Sequence, residues 1–316
     1  MNKKLLVVMV SLVLIGMIST VAADNNHLFP WMRMGLGPRG MAMGGTGTAH
    51  MNNITAVYWN PAALGNIKRA EFAMMYTDMG LDRSQNFVAL GTAFKYGYVA
   101  LSWINAGVSE LEGYNNGTST GDFDATDNGI SLSLGLGTGR FKVGLSARMY
   151  MSKIDDDSQN GFGTDLGMLW DINDYLSLGV MARDLYSEVD KDEVPAQYTL
   201  GLAVHPIWGL TFATDLKTEK HTDEEVDVSI GAEYWTGVGE DTEVGSSHSA
   251  INLEEKTKWD EILSNTQAGI RLGADDGAFT AGFGIRFKML ETNYAYLAEP
   301  EDGFGDSHQI SLILRF

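Results

Sequence analysis

From about residue 70 to the C-terminus, apolar and polar residues alternate along most of the chain. In the stretch 128–137, Ile130, Leu132 and two further leucines occupy one face, whereas serine and glycine occupy the other. The stretch 141–151 repeats the pattern, with an apolar residue at every second position from Phe141 to Met151. Successive side chains of a strand point to opposite faces, so this period of two predicts strands with one apolar and one polar face.

The same period predicts fourteen strands. We place them near 70–79, 85–94, 97–106, 128–137, 141–152, 162–170, 175–185, 196–205, 208–217, 225–235, 266–274, 278–287, 290–297 and 307–316. Short turns and longer acidic segments alternate between them. The segments predicted as long loops are 107–127, 154–161, 186–195 and 218–224. This arrangement is typical of outer-membrane barrels, whose external loops are the longer set.

One connection departs from this alternation. Residues 236–265 fall on the short-turn side, yet they are far longer than a hairpin turn. Helical spacing within 252–263 predicts a short helix with Trp259, Ile262 and Leu263 on one face. We interpret the segment as a surface excursion on the periplasmic side, or alternatively as a periplasmic docking element.

Alternation alone fits a soluble sandwich as well as a membrane barrel. Three features favour the barrel. The polar face consists mainly of glycine, serine, alanine and threonine with isolated charges, and the chain ends on an aromatic residue, Phe316, which resembles an outer-membrane assembly signal. Aromatic residues also cluster near strand ends, as interface girdles do. They are Tyr96, Tyr98, Trp103, Trp170, Tyr175, Trp208, Tyr234, Trp235, Tyr294 and Tyr296.

A barrel of fourteen strands is wider than side chains alone can fill, because about eight strands already give a filled interior. Residues 24–68 precede the first strand and are the segment free to occupy the lumen. Within them, the stretch 33–66 is rich in glycine and methionine, which suits sharply bent and closely packed backbone. The predicted fold is therefore all-β: a 14-stranded antiparallel transmembrane β-barrel, residues 69–316, with an N-terminal plug, or hatch, at 24–68.

The first residues predict a secretory signal peptide. Lys3 and Lys4 precede an apolar run from Leu5 to about Ile18, and Ala22 and Ala23 form a small-residue cleavage site. We expect residues 1–23 to be removed after export through the Sec route. A retained transmembrane helix is the alternative, for which the run is on the short side.

Composition excludes several function classes. The formal charge is −19, which disfavours nucleic-acid binding, and the 0 cysteines exclude disulfides and thiolate metal sites. The 6 histidines are scattered, and no catalytic constellation is evident, so we predict a non-enzyme with no cofactor and no metal. The acidic run from Asp155 superficially resembles a calcium loop but lacks the glutamate, which favours a solvated loop over a calcium site.

Two motifs carry a family resemblance. Residues 40–47, GMAMGGTG, and residues 56–64, AVYWNPAAL, resemble the N-terminal hatch of FadL-like outer-membrane proteins, most closely the PorV/PorQ branch. Late strands add to the match, including GAEYW at 231–235 and AGIRLG at 268–273. The chain departs from the family at Ala63, where glycine is usual, and at the long 236–265 segment.

The resemblance implies a fourteen-stranded barrel with a hatch, but it does not fix the cargo. Three functions stay open: an uptake channel for fatty-acid-like or hydrocarbon-like molecules, an accessory barrel of a secretion system, or a structural porin. Expected partners are outer-membrane lipid and lipopolysaccharide, the outer-membrane assembly machinery, and either a hydrophobic ligand or a secreted protein.

Two sets of residues are candidates for function. The hatch or gate set, which forms either a simple turn into the first strand or a soft apolar surface for a ligand, is Met34, Arg39, Gly40, Met41, Met43, Gly44, Gly45, Val57, Tyr58, Trp59, Asn60, Pro61 and Leu64. The second set comprises charges on the polar face, which either pair and hold the plug or form a solute path. They are Arg148, Asp165, Arg183, Asp215, Asp227, Glu233, Arg271, Arg286 and Arg315.

Overall fold

A computed structural model describes residues 33–115, 118–137, 139–155, 157–189, 192–219, 226–236, 266–275, 277–298 and 305–316. The predicted signal peptide and the predicted helix at 252–263 lie outside these residues. Within the described part of the chain, no helix is long and apolar enough to cross a bilayer.

Fourteen antiparallel strands form a closed ring, as the sequence predicts. Closure is seen at β1, which pairs with β2 on one side and with the last strand, β15, on the other. The strands are β1 Glu71–Asp78, β2 Arg83–Phe94, β3 Gly97–Asn115, β4 Thr118–Leu136, β5 Phe141–Ile154, β6 Asp157–Asn173, β7 Leu176–Val189, β9 Gln197–Ile207, β10 Leu210–Glu219, β11 Asp227–Thr236, β12 Thr266–Asp275, β13 Ala278–Phe287, β14 Leu290–Leu297 and β15 Ser307–Arg315. A two-residue strand, β8 (Asp192–Glu193), adds to the end of β7.

The wall has its apolar face outside and its polar face inside. Large apolar side chains such as Leu132, Phe212 and Leu272 are exposed, whereas inward Ser133 and Ser146 are buried and share a hydrogen bond of 2.8 Å. A soluble protein has the opposite arrangement, with apolar side chains inside and polar side chains outside. The observed arrangement matches a barrel whose outer surface contacts lipid, since exposed apolar surface on this scale is not tolerated in water.

Several predicted loops are strands instead. β3 and β4 continue through most of 107–127 and leave only two residues between them, and β5 and β6 likewise absorb most of 154–161. At 19 residues each, β3 and β4 exceed the roughly 9–11 residues that a strand needs to cross a bilayer. Beyond the bilayer both faces of a strand are free to be polar, so the apolar alternation that identifies a strand disappears there.

The N-terminal segment, residues 33–66, packs against the inward face of the wall. It contains two short helices, α1 (Pro38–Met41) and α2 (Ala56–Trp59), and a 3-10 helix at Pro61–Asn66. Almost every residue from 35 to 64 is buried. The segment is therefore enclosed by strands.

Two aromatic residues do not belong to the predicted outer girdle. Tyr98 is buried on the inward face, where its hydroxyl accepts a hydrogen bond of 3.1 Å from the Glu71 backbone N–H. Trp235 lies between the guanidinium groups of Arg271 and Arg286, at 5.2 and 4.9 Å from its ring centroid. Aromatic identity alone does not fix the face, because the position of each residue in the alternation along its strand decides it.

Candidate functional site

The N-terminal segment leaves the lumen at Asn60, whose side chain makes only uncharged contacts. The side-chain amide nitrogen of Asn60 donates to the carbonyl oxygens of Thr48 and Met168, at 2.8 and 3.0 Å. Its side-chain oxygen accepts from Ala62 N–H at 3.0 Å. Asn60 thus caps the 3-10 helix that begins at Pro61 and ties it to β6. The hydrogen bonds explain why an asparagine stands before this proline.

Glycines of the wall make room for this exit. A Cβ atom at Gly135 would lie 2.6 Å from the Pro61 carbonyl oxygen and 2.7 Å from the Leu64 Cβ, and one at Gly144 would overlap the backbone of Pro61 and Ala62. Backbone packs on backbone here, which requires glycine. Leu64 belongs to the buried apolar cluster of the segment and so acts in packing.

The glycines of the segment itself surround Trp59. Cβ atoms at Gly40 and Gly47 would both collide with the Trp59 ring, whose Nε1 donates to the Leu36 carbonyl oxygen at 2.8 Å. Gly44 and Gly45 have φ values of 69° and 71°, and they form a turn in which Gly44 N–H donates to the Thr280 hydroxyl at 2.9 Å. The glycines therefore allow the backbone to pack closely around the ring of Trp59.

Glu233 holds the first half of the segment. Arg39, on α1, donates from Nε and Nη2 to the two carboxylate oxygens of Glu233 at 2.9 and 2.6 Å. Arg271 of the neighbouring strand donates to the same carboxylate at 2.6 Å. All three groups are buried, and both carboxylate oxygens are used. A bidentate buried pair of this kind fixes position strongly.

Asp215 holds the middle of the segment in a different way. Its Oδ2 accepts from Gly47 N–H, Thr48 N–H and the Thr48 hydroxyl at 3.0, 3.0 and 2.7 Å. No cation of the segment takes part. The contact depends on backbone donors and a single carboxylate oxygen.

A small cavity separates part of the segment from strands β7, β9, β10 and β12. Met34, Met41, Tyr58 and Trp59 line it, so these four candidates share one surface. Arg183 also lines it and donates to the Tyr58 carbonyl oxygen at 2.8 Å, with its guanidinium 4.1 Å from the Tyr58 ring centroid. Met43 and Val57, by contrast, are buried in apolar packing.

The remaining predicted charges brace the wall. Arg148 donates to Asp165 at 2.6 Å between adjacent strands. Arg286 and Arg315 both bind Glu291, at 2.6 and 2.7 Å, and Arg315 also binds Glu71 at 2.8 Å. Pairing is therefore the arrangement observed for these side chains. Asp227, at the first residue of β11, is exposed at the strand end.

Sequence reasoning missed several inward polar residues. Glu71 and Glu291 complete the arginine network, and Glu71 also accepts from Ile54 N–H of the segment at 2.7 Å. Asp184, in a left-handed conformation with φ 53°, donates its N–H to Asp165 at 3.0 Å. Glu71 and Glu291 lie at the alternate positions of their strands that face inward, and this position in the alternation is the signal that identifies them.

His50 is the buried histidine of the segment. Burial lowers its pKa to about 3, and the nearby positive charge of Arg39 acts in the same direction. His50 is therefore neutral near pH 7. Across the described ranges, no group of three or more acidic, histidine or cysteine side chains is arranged to hold a metal ion.

No protein-family profile and no curated protein sequence matches the chain. Solved structures do. The toluene transporter TbuX of Ralstonia pickettii is 14% identical with a TM-score of 0.62, covering 89% of this chain and 98% of that chain. The toluene transporter TodX of Pseudomonas putida is 13% identical with a TM-score of 0.58, covering 93% of this chain and 99% of that chain.

A FadL homologue of Pseudomonas aeruginosa is 11% identical with a TM-score of 0.51, covering 88% of this chain and 97% of that chain. At such identities the similarity shows a shared fold. The chain is a transmembrane β-barrel with the fold of FadL-like outer-membrane channels.

Proposed function

We propose that the protein is an outer-membrane channel for hydrophobic small molecules and that movement of the N-terminal segment gates it. The observation that carries the proposal is the enclosed segment itself, held by Glu233 and Asp215 on one side and by the Asn60 exit on the other. The names of the structurally similar toluene transporters and FadL homologue support the solute class.

The contacts suggest how gating would proceed. The exit at Asn60 and Pro61 lies against glycine backbone of β4, β5 and β6. The Asp215 contact uses one carboxylate oxygen and borders the cavity lined by Met34 and Trp59. We infer that the segment turns about its exit when the contact at Thr48 breaks, and that the cavity widens into a passage.

Because the chain has 0 cysteines, an engineered disulfide tests this directly. Thr48 Oγ1 and Asp215 Oδ2 are 2.7 Å apart, so cysteines at both positions place two sulfur atoms in proximity. We expect toluene uptake by cells carrying Thr48→Cys/Asp215→Cys to be low when the pair is oxidised and to recover after reduction. The measurement is uptake of labelled toluene before and after a reductant.

The matched control is Ser133→Cys/Ser146→Cys, whose hydroxyls are 2.8 Å apart between two wall strands. That disulfide braces the wall without holding the segment, so uptake should not respond to its oxidation. Equal uptake by both oxidised pairs and by their reduced forms would overturn gating by the segment. Deletion of 33–66 and Asn60→Ala should raise uptake; unchanged uptake in both would count against the channel itself.

A second function rests on the sequence motifs. Residues 40–47 and 56–64 resemble the PorV/PorQ branch, which includes accessory barrels of a secretion system. Such a protein would retain secreted proteins rather than pass solutes. Affinity capture of the whole chain from envelope extract distinguishes the two, because an accessory barrel should recover a secretion component and a channel should not.

Location in the outer membrane follows from the same proposal. Export through the Sec route would deliver the chain, and the C-terminal Phe316, which is exposed and donates its N–H to Ala70 at 2.9 Å, would serve the assembly machinery. Phe316→Ala is expected to lower the amount of folded barrel recovered from the outer membrane. Lipid and lipopolysaccharide would surround the exposed apolar face.

A further inference from the structure

The outer face of the wall carries a groove that crosses strands β9 to β13. Its volume is about 550 Å³, and all of its lining residues are uncharged. Large exposed side chains form its sides, among them Phe212, Ile230 and Leu272. The groove lies on the apolar face that contacts lipid, so the chemistry of its lining matches a hydrocarbon chain.

The strand register explains why the groove exists. On the outward face, Phe212 of β10 lies opposite Ala232 of β11, and Ala232 in turn lies opposite Leu272 of β12. In the next row along the same strands, Ile230 lies opposite Ala274. Each alanine therefore leaves a gap between larger side chains, and the gaps of the two rows join into one groove.

The groove runs obliquely from one end of the barrel toward the other. On β10 it includes Phe212, near the turn that joins β9 and β10. On β12 and β13 it includes Ala274 and Phe279, beside the turn that joins those two strands. Successive connections of an antiparallel barrel alternate between its two ends, so these two turns lie at opposite ends. The groove thus follows the direction of an acyl chain, which extends from a membrane interface toward the middle of the bilayer.

The floor of the groove is also the seat of the N-terminal segment. Gly231 and Gly273 line the groove from the outside. On the inside, a Cβ atom at Gly231 would lie 2.3 Å from the Met43 carbonyl oxygen, and one at Gly273 would lie 2.2 Å from the Gly44 backbone nitrogen. A single layer of backbone therefore separates the groove from the segment.

We propose that the groove binds one acyl chain of a membrane phospholipid and that this chain supports the wall where Met43 and Gly44 rest. In lipid the driving force is close packing, because a chain between Phe212 and Leu272 contacts the protein on several sides rather than on one. The inference goes beyond the proposed channel function and does not depend on it, since it requires only the membrane-spanning fold.

Ala274→Phe provides a variant that fills the groove. Ala274 lies on the outward face between Ile230 and Phe279, so a phenyl ring at this position occupies the groove and keeps the outer face apolar. Ala147→Phe is the matched control. Ala147 is exposed on the outward face of β5, opposite Leu132 and away from the groove.

The experiment is native mass spectrometry of the full folded chain, purified in nonionic detergent and titrated with dioleoyl phosphatidylethanolamine. The wild type and Ala147→Phe should retain one phospholipid under detergent washing that removes the others, and Ala274→Phe should lose it. Dioleoyl phosphatidylglycerol should be retained equally well, because the lining offers no charge to a head group. The lipid should also raise the urea midpoint of the wild type but not that of Ala274→Phe, since a ligand of the folded state stabilises that state.

A wild type that retains no phospholipid would overturn the inference, and this measurement requires no variant. Equal retention by folded Ala274→Phe and folded Ala147→Phe would also overturn it, as would a strong preference for one head group. A wild-type dimer that Ala274→Phe converts to a monomer would assign the groove to a second copy of the chain instead. Equal urea midpoints of the wild type with and without the lipid would overturn its role in supporting the wall.

Discussion

Among the inward carboxylates that contact the N-terminal segment, Glu233 and Asp215 bind it in different ways. Glu233 binds Arg39 and Arg271 through both oxygens and is enclosed by charge. Asp215 binds Gly47 and Thr48 through one oxygen, and its other oxygen is buried without a donor among the described residues. The comparison teaches that a carboxylate bound by two cations fixes a segment more strongly than one that accepts neutral donors through a single oxygen.

The two carboxylates also differ in which groups would lose their partner if each were removed. Removal of Glu233 would leave two buried cations unpaired, which is among the most destabilising changes in a protein. Removal of Asp215 would leave backbone N–H groups and one hydroxyl without acceptors, next to a cavity that admits water. We therefore expect Glu233 to hold the segment more firmly than Asp215 does.

The largest expected effect is that of Glu233→Ala. It should lower the free energy of unfolding by about 3–5 kcal/mol, because Arg39 and Arg271 remain buried without a partner. Urea unfolding in detergent micelles measures the change. Asp174→Ala, which removes an exposed pair with Arg140, is the control and should have almost no effect. A similarly small change at Glu233 would contradict its structural role.

Gly144→Ala should destabilise the barrel by about 3 kcal/mol, since the added methyl meets the backbone of Pro61 and Ala62. This exit contact contains no charged group, so it provides a charge-free reference for the two carboxylates. Gly139→Ala, where nothing lies within 4 Å of the new atom, is the matched control. The comparison is made by urea unfolding, and equal midpoints for both variants would mean that the exit tolerates displacement.

Asp215→Ala should have a smaller effect, about 2 kcal/mol, because three hydrogen bonds are lost but water can enter the neighbouring cavity. The loss should be less than half as large in Asp215→Asn, which retains an acceptor for Thr48. Both values come from the same urea titrations. If Asp215→Ala costs as much as Glu233→Ala, the contrast between the carboxylates is wrong.

The smallest expected effect is the pH dependence of the free energy of unfolding that arises from His50, which lies near Arg39 and Glu233. The pKa of folded His50 is about 3, below the unfolded value of about 6.5, so the unfolded state binds more protons between them. The contribution of His50 to the free energy of unfolding is therefore present above pH 6.5 and is lost as the pH falls toward 3. At pH 5.5 the expected loss is about 1.4 kcal/mol. Urea midpoints of the wild type and His50→Gln at pH 7.5 and 5.5 check this, because the variant should lack this component.

The strands were predictable because alternation is a local property. Leu132 and Ser133 show the two faces of β4 without any knowledge of its neighbours. The extent of β3 and β4 was not predictable, because their stretches 107–115 and 118–127 lack the regular apolar face that marks a strand. The faces of Tyr98 and Trp235 were assigned wrongly because the girdle was inferred from residue type rather than from the alternation along each strand.

The candidate site was predictable in its members but not in its pairs. Arg39 and Glu233 were both candidates, yet 194 residues separate them and no sequence signal joins them. Asp215 was identified as a lumen charge, but its three donors come from a turn whose path depends on Gly44 and Gly45. Glu71 and Glu291 were missed although their parity placed them on the polar face.

The sequence by itself determined the wall: its strands, its apolar outer face and the polar face that encloses a lumen. It also marked residues 33–66 as backbone of unusual composition. Tertiary structure alone decided which inward charge meets the segment and which carboxylate oxygen binds it. The reason is physical, because side-chain alternation is set by neighbouring residues, whereas pairing across a lumen is set only when the ring closes between β1 and β15.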